Sequence, residues 1–336
     1  MEYNKVSRLE EVPLLLKEQG FAIIGGEHKL DDNDCDTFID DIWEALQTNH
    51  IDKNDPSTYI NYFDFYPLHS MMLQHFGFGQ RKSVWKAREL AAPIFAYLWN
   101  VNEDQLVTSM DGISFHIAPE HFPNYRGKYR GNDWFHTDQS YLTSYGRCIQ
   151  GFWNIIDVEP DDACLQVLKS SHQYHNDFFN EFLKTLDKKE IKGDWYKLNE
   201  NELSWYVEEK KCQKMFICPP KGCFVIWDSR LIHCGKEPNL PRNNPKNRLI
   251  FYVSMLPKIK TNHNGYYSKG ITPKQIEKRI KAFEEKRVTT HWAYPPKLFP
   301  KNPRTFGKPI QVQNVGNMEF EDLSYLQKKL IGYNNF

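Results

Sequence analysis

Apolar positions along this chain follow a helical period at first and then change to short strand-like runs. Leu9, Val12 and Leu16 predict a short helix within 7–19 that Gly20 ends, and Phe21–Ile24 reads as a strand stopped by Gly25 and Gly26. Asp31 to Asp34 offer caps for a second helix, whose stripe is Phe38, Ile39, Ile42, Trp43 and Leu46. Residues 50–82 keep no period, and 84–99 is helical again with Pro93 as an expected kink.

From about 106 the pattern is that of β-structure. Apolar or alternating runs at 106–118, 133–142, 147–157, 164–168, 215–218, 223–228 and 248–256 are separated by Pro, Gly, Asn and Asp clusters. Short strands with turn signals between them predict a sandwich or barrel. The charged segment 178–211 reads as an insertion crossing the barrel mouth. After 257 the chain is basic and polar, with a helix from Thr272-Pro273 to about Arg287, a Pro-rich stretch at 295–309 and a last helix near 320–331. The expected organisation is α+β: one domain over 1–257 with its β core at about 106–256, and a 258–336 extension packed on it.

Composition narrows the function classes. The 43 basic and 43 acidic residues cancel, so nothing in the charge favours nucleic acid or an acidic membrane. Seven cysteines without C-x-x-C pairs argue against a disulfide framework and a structural zinc site. The first residues lack an apolar leader and no run reaches membrane-spanning length, so a cytoplasmic protein is expected.

The candidate chemistry lies in Trp134-Phe-His-Thr-Asp-Gln-Ser140. Residues two apart on a strand face the same way, so His136 and Asp138 would aim an imidazole and a carboxylate at one spot. A second histidine would complete the two-His, one-carboxylate face that holds non-haem Fe(II). H-x-D also occurs at His50/Asp52, in a polar loop, and at His175/Asp177, where a helix cap is the simpler reading. Only the middle copy has strand-like surroundings. His233, just past the end of the strand run Gly222–Asp228, is the candidate partner. Taken alone it reads as an ordinary structural histidine.

Arg248 opens the next strand run, and a guanidinium there suits a dicarboxylate bound in two-pronged fashion. Alternation would put Ile250, Tyr252 and Ser254 on its face. Arg242 is a rival, but it lies in the Pro/Asn loop 238–245, which reads as a spacer that tolerates deletion. Ser114 and His116 share a face of the 111–117 run and are further cofactor-side candidates, as is Gln150; ordinary strand roles fit them as well. The basic loop Arg126–Arg130 reads most simply as solvated charges, and its place just before the 133–142 run also makes it a candidate part of the entrance.

F-H-x-D-Q, followed by Lys169-Ser-Ser-His172, Trp227-Asp-Ser-Arg-Leu-Ile-His233 and Arg248, resembles the phytanoyl-CoA dioxygenase-like family over roughly 9–257. The resemblance implies a double-stranded β-helix (a cupin-like jelly roll), with Fe(II) on His136, Asp138 and His233. It also implies 2-oxoglutarate on Arg248, O2 as co-substrate, and a structural role for His172. Three features depart from the family pattern: the Ser170-Ser171-His172 turn lacks its glycine, the stretch from His233 to Arg248 is longer, and Gly235 stands where relatives often place a serine. The expected function is a dioxygenase that hydroxylates a small molecule while converting 2-oxoglutarate to succinate and CO2. A binding protein that keeps the metal without turnover, or a metal-dependent hydrolase, is the alternative.

Overall fold

A computed structural model of the chain describes residues 1–122, 133–140, 142, 147–182, 193–301, 303 and 311–333. The Arg126–Arg130 loop lies outside the described residues. The strands are β1 (Glu2–Tyr3), β2 (Val6–Ser7), β3 (Phe21–Ile24), β4 (Met72–Leu73), β5 (Leu106–Thr108), β6 (Ile113–His116), β7 (His136–Thr137) and β8 (Ile149–Asn154). They continue with β9 (Cys164–Leu168), β10 (Tyr196–Lys197), β11 (Lys214–Ile217), β12 (Phe224–Asp228), β13 (His233–Lys236), β14 (Arg248–Pro257), β15 (Lys260–His263) and β16 (Tyr266–Lys269). The helices are α1 (Val12–Glu18), α2 (Asp32–Gln47), α3 (Lys82–Trp99), α4 (His175–Phe182), α5 (Glu200–Ser204), α6 (Pro273–Glu284) and α7 (Tyr325–Ile331).

The expected α+β class is observed. One sheet runs β2-β3-β12-β8-β14-β6-β4 with β5 on the end of β14, and a second runs β1-β11-β9-β13-β7-β10. Most pairings within them are antiparallel; β1 with β11 and β2 with β3 are parallel. The sheets face each other across Phe21, Phe152, Val225 and Trp227 on one side and Leu165, Val167, Met215 and Ile217 on the other. The outer face of the larger sheet is covered by α2 and α3, through Phe38, Ile42, Phe95 and Trp99 against Trp153, Phe224, Leu249 and Phe251. With both faces buried, β14 is apolar nearly throughout and its period is hidden in the sequence. The structure separates the two sets: Leu249 and Phe251 meet the helices, while Ile250 and Tyr252 join the core between the sheets.

The local signals behind the helices are present. Asp31 caps α2 by accepting from Asp34 N at 2.7 Å. Thr272 and Gln275 form a reciprocal capping box on α6. The hairpin β15–β16 was not anticipated, although Asn264 and Gly265, both at positive φ, carry the Asn-Gly turn signal. His233 does not trail β12 but opens a strand of its own. The chain turns at Asp228–Leu231, where Leu231 N donates to Asp228 O at 2.9 Å, and crosses into the other sheet. Buried Arg279 on α6 donates to the carbonyls of Thr108, Leu330 and Ile331 at 2.6, 2.8 and 2.8 Å, tying the segment after 257 to β5. No helix among the described residues is long and apolar enough to cross a membrane. All seven cysteines are free thiols.

Candidate metal centre

β7 and β13 bring the two histidines together by register, since His136 and His233 are directly opposed in the ladder. Their ring centroids lie 4.3 Å apart. Asp138, just past β7, leaves the ladder: its N–H donates to Ser229 O at 3.1 Å, and Thr137 Oγ1 donates to the same carbonyl. Its carboxylate then sits 3.6 Å from His136 Nε2 and 3.4 Å from His233 Nε2. One ligand atom from each of these three buried residues lies within 4.8 Å of the others. Among the described residues no other group of three or more His, Cys, Asp or Glu side chains is so placed.

The donor set fits a divalent metal. His233 Nδ1 is 2.9 Å from Leu231 O and His136 Nδ1 is 3.3 Å from Trp134 O. A proton on each Nδ1 leaves both Nε2 lone pairs facing the carboxylate, the arrangement a metal-binding imidazole uses. Asp138 is oriented in turn by Gln150 Nε2, which donates to its Oδ2 at 3.1 Å. Burial, reinforced by His233, pushes the His136 imidazole down to about 3, so it stays neutral and free to coordinate. Burial would raise the Asp138 carboxyl, but His136 and His233 outweigh it and hold the group below the usual range. Trp134 stacks on His136 at 4.5 Å and 8°, and His69 stacks on Trp134 at 4.9 Å.

The triad opens into a cavity of about 550 Å³ that Arg248, Ile250 and Tyr252 also line. Arg248 is buried, and its guanidinium lies 5.4 Å from the Phe152 ring. Its Nε has no hydrogen-bond partner among the described residues. A buried guanidinium with an unpaired donor on a cavity wall suits an anionic ligand. Glu237, close by, is 3.8 Å from His116 Nδ1, and burial pushes its carboxyl up to about 7.

The other candidates sit elsewhere. Ser114 is wholly buried and donates to Ser70 O, and His116 opposes Arg248 on the neighbouring strand; neither lines the cavity. Gln150 reaches Asp138 rather than the cavity. Ser254 bonds Ile149 O at 3.0 Å, beyond the cavity end of β14. Arg242 pairs with Glu120 and Asp162 at 2.7 and 2.6 Å, so it is an anchor, and its loop is more than a spacer. His172 bonds Lys17 O at 3.1 Å, a structural contact. His175 is committed to Gln139 O, and His50 lies in an exposed turn.

Several cavity residues went unanticipated. Ser70 and Gln74 come from the stretch without a period, Asp194 and Trp195 from the 178–211 insertion, and Thr290, His291, Trp292, Lys297 and Phe299 from the segment after 257. The insertion therefore does reach the cavity. The later segment carried no motif; only its aromatic content hinted at a wall.

No family model matches the chain. The Ava biosynthesis cluster protein O of Aspergillus versicolor is 27% identical over 224 residues, which is 65% of this chain and 65% of that protein's length. Among solved structures, AviO1 from Streptomyces viridochromogenes Tue57 is 14% identical, covering 76% of this chain and 97% of its own, with a TM-score of 0.45. The non-haem α-ketoglutarate-dependent epimerase SnoN from nogalamycin biosynthesis is 11% identical over 76% of this chain and 86% of its own, with a TM-score of 0.41.

Proposed function

We propose that the chain is an Fe(II)- and 2-oxoglutarate-dependent oxygenase acting on a small molecule. The observation that carries this reading is the convergence of His136, Asp138 and His233 on the same cavity as a buried, incompletely paired Arg248. Iron with 2-oxoglutarate and O2 supplies an oxidant able to break a C–H bond. We read the facing sheets as a double-stranded β-helix, with the segment after 257 as part of the same unit.

In this reading His136, Asp138 and His233 would hold the metal beside the cavity. Gln150 fixes the Asp138 carboxylate, and the carbonyls of Trp134 and Leu231 fix the two imidazole tautomers. Arg248 holds the distal carboxylate of 2-oxoglutarate, with Phe152 beside its guanidinium. The aromatic wall excludes water and orients the substrate. A small-molecule substrate is supported by the cavity volume of about 550 Å³ and by a relative whose name places it in a biosynthesis cluster. Hydroxylation is the outcome we assign to the C–H chemistry.

The test is anaerobic Fe(II) binding followed by succinate formation from 2-oxoglutarate on admitting O2. Binding of one Fe(II) and 2-oxoglutarate-dependent succinate are expected. A metal-dependent hydrolase would have no use for Arg248 or 2-oxoglutarate, and a binding protein would hold both without succinate. A wild type that neither binds 2-oxoglutarate nor forms succinate overturns the oxygenase reading.

A further inference from the structure

His291 follows every strand of the two main sheets, yet its ring lines the cavity that holds the triad. Its Nδ1 is hydrogen-bonded to Oδ2 of Asp111, whose side chain is wholly buried. The other Asp111 oxygen accepts from Gln74 Nε2 at 2.8 Å and from Gly112 N at 2.7 Å. Two donors thus fix one carboxylate oxygen, and the second is presented to the imidazole. Tyr252 flanks the ring at a centroid distance of 5.1 Å.

With Nδ1 committed to Asp111, the edge left for the cavity is Nε2, which has no hydrogen-bond partner among the described residues. The neighbouring Thr290 Oγ1, also on the cavity wall, is buried and likewise without a partner. Unpaired polar atoms on a cavity wall call for a ligand group to satisfy them. Burial alone would push His291 down, but the Asp111 carboxylate outweighs it and holds the imidazole up to about 9. At neutral pH both ring nitrogens then carry hydrogen, and Nε2 can only donate. The Asp194–Lys297 pair on the same wall closes on itself at 2.6 Å and leaves no free charge there. Trp195, Trp292 and Phe299 supply apolar aromatic surface on the same wall.

We propose that Asp111-held His291 donates a hydrogen bond to an oxygen of the substrate, and that the substrate is a flat, largely apolar ring system bearing one carbonyl or carboxylate group. The proposal rests on the oxygenase reading of the same cavity and assigns the substrate class that reading leaves open. Beside the co-substrate, a cavity of this size leaves room for a body of about two or three fused rings. Gln74 and Asp111 position the ring; His291 itself makes the contact.

The test uses the full chain, treated with EDTA, and three probes: 2-methylnaphthalene, 2-naphthamide and 2-naphthoate, titrated by saturation-transfer NMR. Wild type is expected to bind the amide and the carboxylate about tenfold more tightly than the hydrocarbon, as one charge-assisted hydrogen bond allows. That preference should fall to about twofold or less in His291→Phe and shrink in Asp111→Asn. Nitrogen-15 spectra of histidine-labelled wild type, which need no variant to fold, should show the His291 Nε2 signal moving on addition of 2-naphthamide. A preference that survives in His291→Phe, a preference lost instead in Arg248→Gln, an unmoved His291 signal, or no binding of any probe overturns the proposal. Succinate formation by wild type with no probe present tests the oxygenase reading separately, so the two can fail independently.

Discussion

Ser70 occupies the space that Gly235 leaves empty. A Cβ on Gly235 would lie 1.6 Å from Ser70 Oγ and 2.6 Å from Ser70 Cβ. Ser70 holds a positive φ of 55° to reach there, and its buried hydroxyl lines the cavity without a hydrogen-bond partner among the described residues. The hydroxyl beside position 235 thus comes from a distant part of the chain.

The first prediction follows from that contact. Gly235→Ala should destabilise the fold by at least about 1–3 kcal/mol through overpacking. Ser70→Gly should relieve both the clash and the strained φ. In urea denaturation the double variant Gly235→Ala with Ser70→Gly should recover most of the loss. Simple additivity of the two changes would show that the residues do not share the space.

Metal binding distinguishes the three H-x-D copies. His136→Ala and His233→Ala should abolish Fe(II) binding in calorimetry, because each removes one of the converging ligand atoms. His50→Ala and His175→Ala should leave it unchanged, although His175→Ala costs stability through its lost bond to Gln139 O. Gln150→Leu frees the Asp138 carboxylate and should weaken metal affinity by about 10–100-fold.

The two arginines should separate cleanly. Arg248→Ala leaves the co-substrate carboxylate buried without its partner, a loss of about 2–5 kcal/mol, or roughly thirtyfold to several-thousandfold in 2-oxoglutarate affinity. Arg248→Lys should recover part of it. Arg242→Ala should spare 2-oxoglutarate affinity but lower stability by about 3–5 kcal/mol, because Glu120 and Asp162 lose their shared partner. Deleting part of 238–245 should cost the same anchor. Equal effects of the two alanine variants on 2-oxoglutarate would refute this division.

Stability should fall as pH rises through the titration of His291. Its imidazole is held up from the ordinary 6.5 to about 9 in the folded chain, burial opposing and Asp111 prevailing. The folded state therefore binds a proton that the unfolded state releases first. The pair's contribution is complete below about pH 6.5 and gone above about pH 9, and it amounts to roughly 3 kcal/mol. Denaturation midpoints should drop across that window in wild type and flatten in His291→Gln. Glu237, raised to about 7, also loses stability with rising pH, but between about 4.5 and 7, so the two windows are separable.

The local elements and the metal-ligand candidates are legible in the amino-acid pattern. Caps at Asp31 and Thr272 and the apolar stripes of the helices are nearest-neighbour properties, legible without a fold. His136 and Asp138 could be found from their two-residue spacing in a strand-like run, although Asp138 itself leaves the ladder just past β7. Tertiary structure alone decided that His233 opens a strand opposite His136, because that register depends on where the chain crosses between sheets after Asp228. It also decided that Ser70 fills the gap at Gly235 and that Asp111 and His291, far apart in the chain, meet beside Gln74. The loop before Arg248 looked like a spacer because the partners of Arg242 lie in other segments. Contacts of this kind leave no period in the sequence: each is set by how packed sheets and a returning C-terminal segment bring remote side chains into one cavity.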